Sequence, residues 1–273
     1  MDPMIEASPK SGHKRTIWRW FLFSIAMILM IAWLFLTPSG LLGKADAIGY
    51  AVCHRIEARS FQINGRPFPV CARCSGLFLG AMLGLGYQAI QGRKGKTPPA
   101  WAMVFFGTLA LAWVFDGVNS FLMLTPRLPN LYQTQNWTRL VTGTGMGLAV
   151  SAILMPAFNQ TMFRQWQDRS AFGTWQQILG VMIAAAGLDL ILLLEIPWIL
   201  YPLALLSSAG VLVLLTMVYS MALVMLFKRE NTYDRFSELL NPLVGGFVFA
   251  MLQIGAIDLA RYLLTGTWGG FSL

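Results

Sequence analysis

The chain has 273 residues, 56% hydrophobic and only 12% charged, with a net charge of +8. Soluble domains carry about 25% charged residues, so a water-solvated globule is excluded and lipid is read as the main solvent. The positive balance does not call for nucleic acid, because it sits mostly in a few short loops where anionic lipid accounts for it.

A membrane-crossing helix needs about 20 predominantly apolar residues. Seven runs have this character: Ile17 to Leu36, Ser75 to Ile90, Trp101 to Leu124, Leu140 to Phe158, Gln176 to Leu194, Ile199 to Phe227 and Pro242 to Leu264. The second is short and the sixth long, which tilt or an interfacial end accommodates. No segment alternates at period two, so a barrel is not expected. The expected fold class is all-α, a polytopic helical membrane protein of about seven transmembrane helices. Residues 1–16 form an N-terminal tail, 17–264 a single membrane domain with an outer loop at about 38–74, and 265–273 a C-terminal tail. Ala45-Asp46-Ala47 imitates a signal-peptidase site, but the first apolar run is too long and ends well before it, so it reads as an anchor. No internal repeat is visible, which disfavours an inverted-repeat transporter.

Twelve of the 20 Lys and Arg fall in alternate loops: Lys10, Lys14, Arg15 and Arg19; Arg93, Lys94 and Lys96; Arg164 and Arg169; Lys228, Arg229 and Arg235. The positive-inside rule then puts the N-terminus inside and the C-terminus outside. Glycines repeat every fourth residue at Gly76, Gly80 and Gly84, and again at Gly143 and Gly147, a pattern that predicts close helix–helix packing.

All three cysteines and one of the two histidines fall between residues 53 and 74. Cys53, His54, Cys71 and Cys74 form a candidate Cys₃His set suited to tetrahedral zinc, although neighbouring side chains at 53 and 54 diverge. A redox dithiol at Cys71-Ala72-Arg73-Cys74 is the second chemistry, since a helix N-terminus and Arg73 would lower a thiol pKa. It resembles the quinone-linked disulfide-forming membrane oxidoreductases, but those carry a second cysteine pair and this chain has only Cys53 left over. A disulfide that staples the outer loop is the third. Arg55, Arg59, Arg66 and Arg73 lie on the side expected to be poor in basic residues. They call for local acids or for an anionic ligand such as a lipid phosphate.

Carboxylates inside a membrane are rare and usually functional. Counting 1.5 Å per residue from the inner helix ends puts Asp116 about 24 Å up, Asp189 about 21 Å and Asp258 about 24 Å. All three reach the outer third of a core about 30 Å thick. With Asn119 and Arg261 they are expected to floor an outward-opening polar cup and are the catalytic candidates. The rival reading is that they pair with Arg127, Arg139 or Arg261 and serve orientation alone. Three classes of function stay open: a metal centre acting on a lipid-linked or anionic molecule, a thiol oxidoreductase, and an ion-coupled carrier or channel using the acids.

Cys53-His54, Arg59-Ser60-Phe61, Gly65, Pro69-Val70-Cys71-Ala72-Arg73-Cys74 and Gly76 resemble the signature of a prokaryotic family of predicted multi-pass membrane proteins that carries only a domain-of-unknown-function label. The resemblance spans roughly residues 50 to 125. It implies residence in a prokaryotic cell membrane and brings no activity with it.

Overall fold

The structure, a computed structural model, describes residues 10–123, 129 and 131–270, with side chains from residue 20 onward. Helix α1 (Lys10–Leu36) ends just before Pro38, which lacks a backbone donor, and Gly40 at φ 79°. There the chain turns by 105° into the short α2 (Leu41–Val52). The last carbonyls of α1 are capped by Lys44, which donates to Leu34 O, to Thr37 O at 2.9 Å and to Thr37 Oγ1 at 3.0 Å. A two-stranded antiparallel hairpin, β1 (Gln62–Ile63) and β2 (Arg66–Pro67), comes next. Six long helices follow: α3 (Ala72–Ile90), α4 (Ala100–Leu122), α5 (Asn136–Met162), α6 (Trp175–Leu193), α7 (Pro197–Leu226) and α8 (Leu240–Thr265).

The seven expected runs correspond to α1 and α3–α8. The fold is helical, and among the described residues α4 to α8 are each long and apolar enough to cross a membrane; the bent α1–α2 pair makes a sixth if it is one span. α3 is not in that group, because its 19 residues include Arg73, four glycines, Ser75 and Gln88, which lower its hydropathy. Lys10, Lys14, Arg15 and Arg19, expected before the first span, fall within α1 with side chains outside those described, and Arg127 lies outside the described residues.

Residues 38–74, expected as an outer loop, are in fact structured. Residues 41–52 form α2, which buries Gly43 and every residue from Ala45 to Tyr50 as it packs against α7 and α8. Twelve residues are too few to span a bilayer, which is why hydropathy alone passes over this helix.

α3 and α5 form the main packing pair, and the two glycine series interlock along it. A Cβ on Gly76 would lie 2.3 Å from Leu140 O, on Gly80 2.6 Å from Thr144 O, on Gly143 2.2 Å from Arg73 O and on Gly147 2.2 Å from Leu77 O. Backbone meets backbone, so only glycine permits this approach.

The connections after α3, α5 and α7 meet at one end of the bundle. Arg93 lies 4.2 Å over the Phe163 ring and donates to Asp234 O at 2.7 Å, Asn159 donates to Lys94 O at 2.9 Å, and Arg164 N–H reaches Tyr233 O at 3.0 Å. The basic loops that sequence sorting grouped together are thus neighbours. The cysteines lie at the opposite end of α3.

Candidate functional site

Two devices bring the cysteines together. Asn64 and Gly65 take φ 51° and 76°, the left-handed pair of a two-residue turn that Asn-Gly favours. The hairpin folds back so that Phe68 N–H bonds Phe61 O at 2.8 Å and their rings pack edge to face at 6.3 Å. Phe61, Phe68 and Val70 then bury beside Cys53, Leu79, Leu140 and Leu200. On the other side Gly49 of α2 presses on the chain at Pro69, where a Cβ would sit 2.0 Å from the carbonyl oxygen. Cys53, which ends α2, therefore faces Cys71, which begins α3.

The sulfurs of Cys53, Cys71 and Cys74 all lie within 4.8 Å of one another, the only group of three or more such ligand atoms among the described residues. The three thiols are free and could hold a metal ion. Cys53 Sγ accepts the backbone N–H groups of Cys71 at 3.3 Å and Arg55 at 3.4 Å, donors that favour sulfur carrying charge. Hydrogen bonds from Cys53 and Cys74 hold the Cys71 thiol well below the usual range, while the bond to Cys71, with burial, pushes Cys53 up to about 12. His54 does not join the cluster: its side chain is exposed and its imidazole is outside the group.

The frame comes from far along the chain. Arg261 of α8 stacks 3.9 Å from the Tyr50 ring centroid and donates to the carbonyls of Tyr50 at 2.5 Å and Cys53 at 2.7 Å. Tyr50 OH reaches Thr267 O at 2.8 Å, and Arg55 reaches Trp268 O at 3.0 Å.

Acids supply partners for three of the four arginines. Arg55 and Arg66 share Asp46 of α2 at 2.8 and 2.5 Å. Arg73 forms an ion pair with Asp116, whose other carboxylate oxygen accepts from Tyr132 OH at 2.7 Å. That phenol is pushed up to about 12 by burial and by this hydrogen bond, so it stays a donor. Among the described residues Arg59 makes a single long hydrogen bond, 3.4 Å to Ser120 O, and burial together with Arg73 lowers its pKa. Arg66 is 46% exposed and Arg55 stays on Asp46 without it. Arg66→Ala is therefore expected to change stability by less than about 1 kcal/mol, read from thermal unfolding in detergent.

The three membrane acids are all buried, Asp116 at 0% exposure, Asp189 at 7% and Asp258 at 4%, but in separate settings. Asp189 accepts from Thr144 Oγ1 of α5 at 2.6 Å. Among the described residues neither oxygen of Asp258 has a hydrogen-bond partner, and its charged neighbours are Arg261 and Arg55. Asn119, expected in a shared cup, instead pins the connection before α5 by accepting from Leu131 N–H and donating to Tyr132 O, both at 2.8 Å. The sequence reading missed Asp46, whose tripeptide looked like a cleavage site, and gave Arg139 only an orienting role.

Residues 53–153 match a family described as "Predicted membrane protein (DUF2085)". An uncharacterized protein of Methanothermobacter thermautotrophicus is 53% identical over 102 residues, covering 36% of this chain and 82% of that protein. An uncharacterized protein of Methanocaldococcus jannaschii is 28% identical over 123 residues, covering 44% of this chain and 72% of that protein. No solved structure matches.

Proposed function

The chain belongs to the DUF2085 family of predicted membrane proteins, and from that premise we propose that it carries a metal centre, with zinc as the ion, on the outer face of a prokaryotic cell membrane. Cys53, Cys71 and Cys74 are the ligands, and the observation that carries the reading is the mutual approach of their sulfurs within 4.8 Å. Three thiolates suit zinc and leave one tetrahedral position open. An ion there would supply Lewis acidity to a bound oxyanion or water. The chain's own residues hold the ligands: α2 and α3 deliver them, N–H groups point at Cys53 Sγ, and Arg261 fixes the Cys53 carbonyl. The substrate class that fits the surrounding arginines is an anionic, lipid-linked molecule. Gathering of the basic loops at the other end supports an inside N-terminus.

Elemental analysis of the purified protein is expected to find about one zinc per chain. Cys71→Ser and Cys74→Ser should each lose it, while His54→Ala should keep it. Metal-free wild-type protein with a reversible Cys71–Cys74 disulfide would instead support the thiol oxidoreductase.

A further inference from the structure

Beside Cys71 lie three guanidinium groups, those of Arg59, Arg73 and Arg139, close enough to repel one another electrostatically. One network ties them together. Arg59 donates to Ser120 O at 3.4 Å, Ser120 Oγ meets Thr134 Oγ1 at 3.3 Å, and Thr134 Oγ1 accepts from Arg139 at 2.6 Å. The groups that offset them are Asp116, whose two oxygens Arg73 and Tyr132 occupy, and the Cys71 sulfur.

Arg139 is 5% exposed, in the first turn of α5, and its guanidinium donates to neutral oxygens: Asn136 Oδ1 at 3.1 Å and Thr134 Oγ1. Its Nε is buried with no hydrogen-bond partner among the described residues. A buried guanidinium satisfied by neutral acceptors alone is expensive. Three guanidiniums against one carboxylate and the Cys71 sulfur leave net positive charge to be met. Arg55 and Arg66 do not compete, since Asp46 holds both, and Arg261 is turned toward backbone carbonyls.

We propose that Arg139 and Arg59 form the seat of a phosphoryl group, with Arg139 as its base, half-buried Arg59 at its mouth and Arg73 held in place by Asp116. A phosphate monoester carries about −1.5 to −2 at neutral pH, opposite in sign to the charge left over. Guanidinium forks bind such oxygens in pairs, and the N-terminus of α5 adds a favourable dipole. The seat deepens the anionic-substrate reading above and rests on it, while its geometry does not depend on which metal the cysteines hold.

The test uses the full-length, metal-loaded protein in detergent, titrated calorimetrically with inorganic phosphate and inorganic pyrophosphate. A second arm uses nanodiscs that contain either phosphatidic acid or only phosphatidylcholine. Saturable binding in the first arm identifies a free phosphoryl compound, and binding confined to phosphatidic acid identifies a lipid headgroup. Either one should weaken by at least about tenfold in Arg59→Ala and in Arg139→Lys, the ratio that one charge-assisted hydrogen bond carries. Arg66→Ala should bind like wild type. Arg59→Ala removes a half-exposed side chain, so it keeps the test decisive if Arg139→Lys does not fold. Absence of binding in both arms, or wild-type affinity in Arg59→Ala, overturns the proposal. Zinc content measured on the same samples separates the two readings: phosphoryl binding without zinc overturns the metal centre alone, and zinc without phosphoryl binding overturns the seat alone.

Discussion

Asp116→Ala is expected to destabilise the protein by about 3–5 kcal/mol, the range for removing one partner of a buried ion pair. The carboxylate is fully buried and receives Arg73 and Tyr132 OH. Without it the guanidiniums of Arg59, Arg73 and Arg139 face one another with no carboxylate between them. The loss should appear as a lower unfolding midpoint in detergent. A paired substitution separates charge from packing: with Asp116→Leu and Arg73→Met together, most of the loss should return, because a well-packed apolar pair replaces a buried ion pair at little cost. A silent Asp116→Ala would show that Arg73 has another partner and that the ion pair does not set its position.

Gly143→Val is expected to damage the helix packing and the cysteine site together. Its Cβ would come within 2.2 Å of Arg73 O, 3.0 Å of Arg73 C and 3.1 Å of Leu77 N, all backbone atoms of α3. No rotamer relieves a backbone clash, so the helices must separate. The cost should exceed the roughly 1–3 kcal/mol of ordinary overpacking. Arg73 lies between Cys71 and Cys74, so the displacement falls on the ligands themselves. Metal content should drop together with the unfolding midpoint. Gly107→Ala in α4 and Gly187→Ala in α6 are the matched controls. A Cβ at either site meets nothing within 4 Å, and alanine favours helix over glycine by about 1 kcal/mol. Both should leave metal content and stability at or above wild type.

Much of this architecture is legible in the sequence because the physics behind it is local or periodic. Apolar runs mark α1 and α3–α8, and the four-residue glycine spacing marks the surfaces that meet between α3 and α5. Two features of residues 38–74 are written in the sequence and easily passed over. Asn64-Gly65 is a strong hairpin signal, and α2 is simply too short for a hydropathy window. The site is legible in composition and not in arrangement. Counting residues along a helix gives depth but not the rotation of the helix about its axis. Asp116, Asp189 and Asp258 thus count to similar depths, yet each faces different partners. Adjacency misleads in the same way at His54, because successive residues beyond a helix end point apart. Arg139 cannot be read from sequence, since its surroundings come from η1 (Glu57–Arg59), α3, α4 and the segment before α5.

The hold of Arg261 on the carbonyls of Tyr50 and Cys53 spans more than 200 positions of the chain. During synthesis the segment carrying all three cysteines emerges early, and α3 can carry Cys71 and Cys74 as soon as it inserts. Cys53 meets Cys71 through the hairpin and Gly49, but its carbonyl is anchored only when α8 enters the membrane and brings Arg261 and the segment from Thr265 to Trp268 up to α2. Full anchoring of the thiol cluster therefore waits for α8: a chain stalled before it would display the same three cysteines without the hold that Arg261 places on the Cys53 carbonyl.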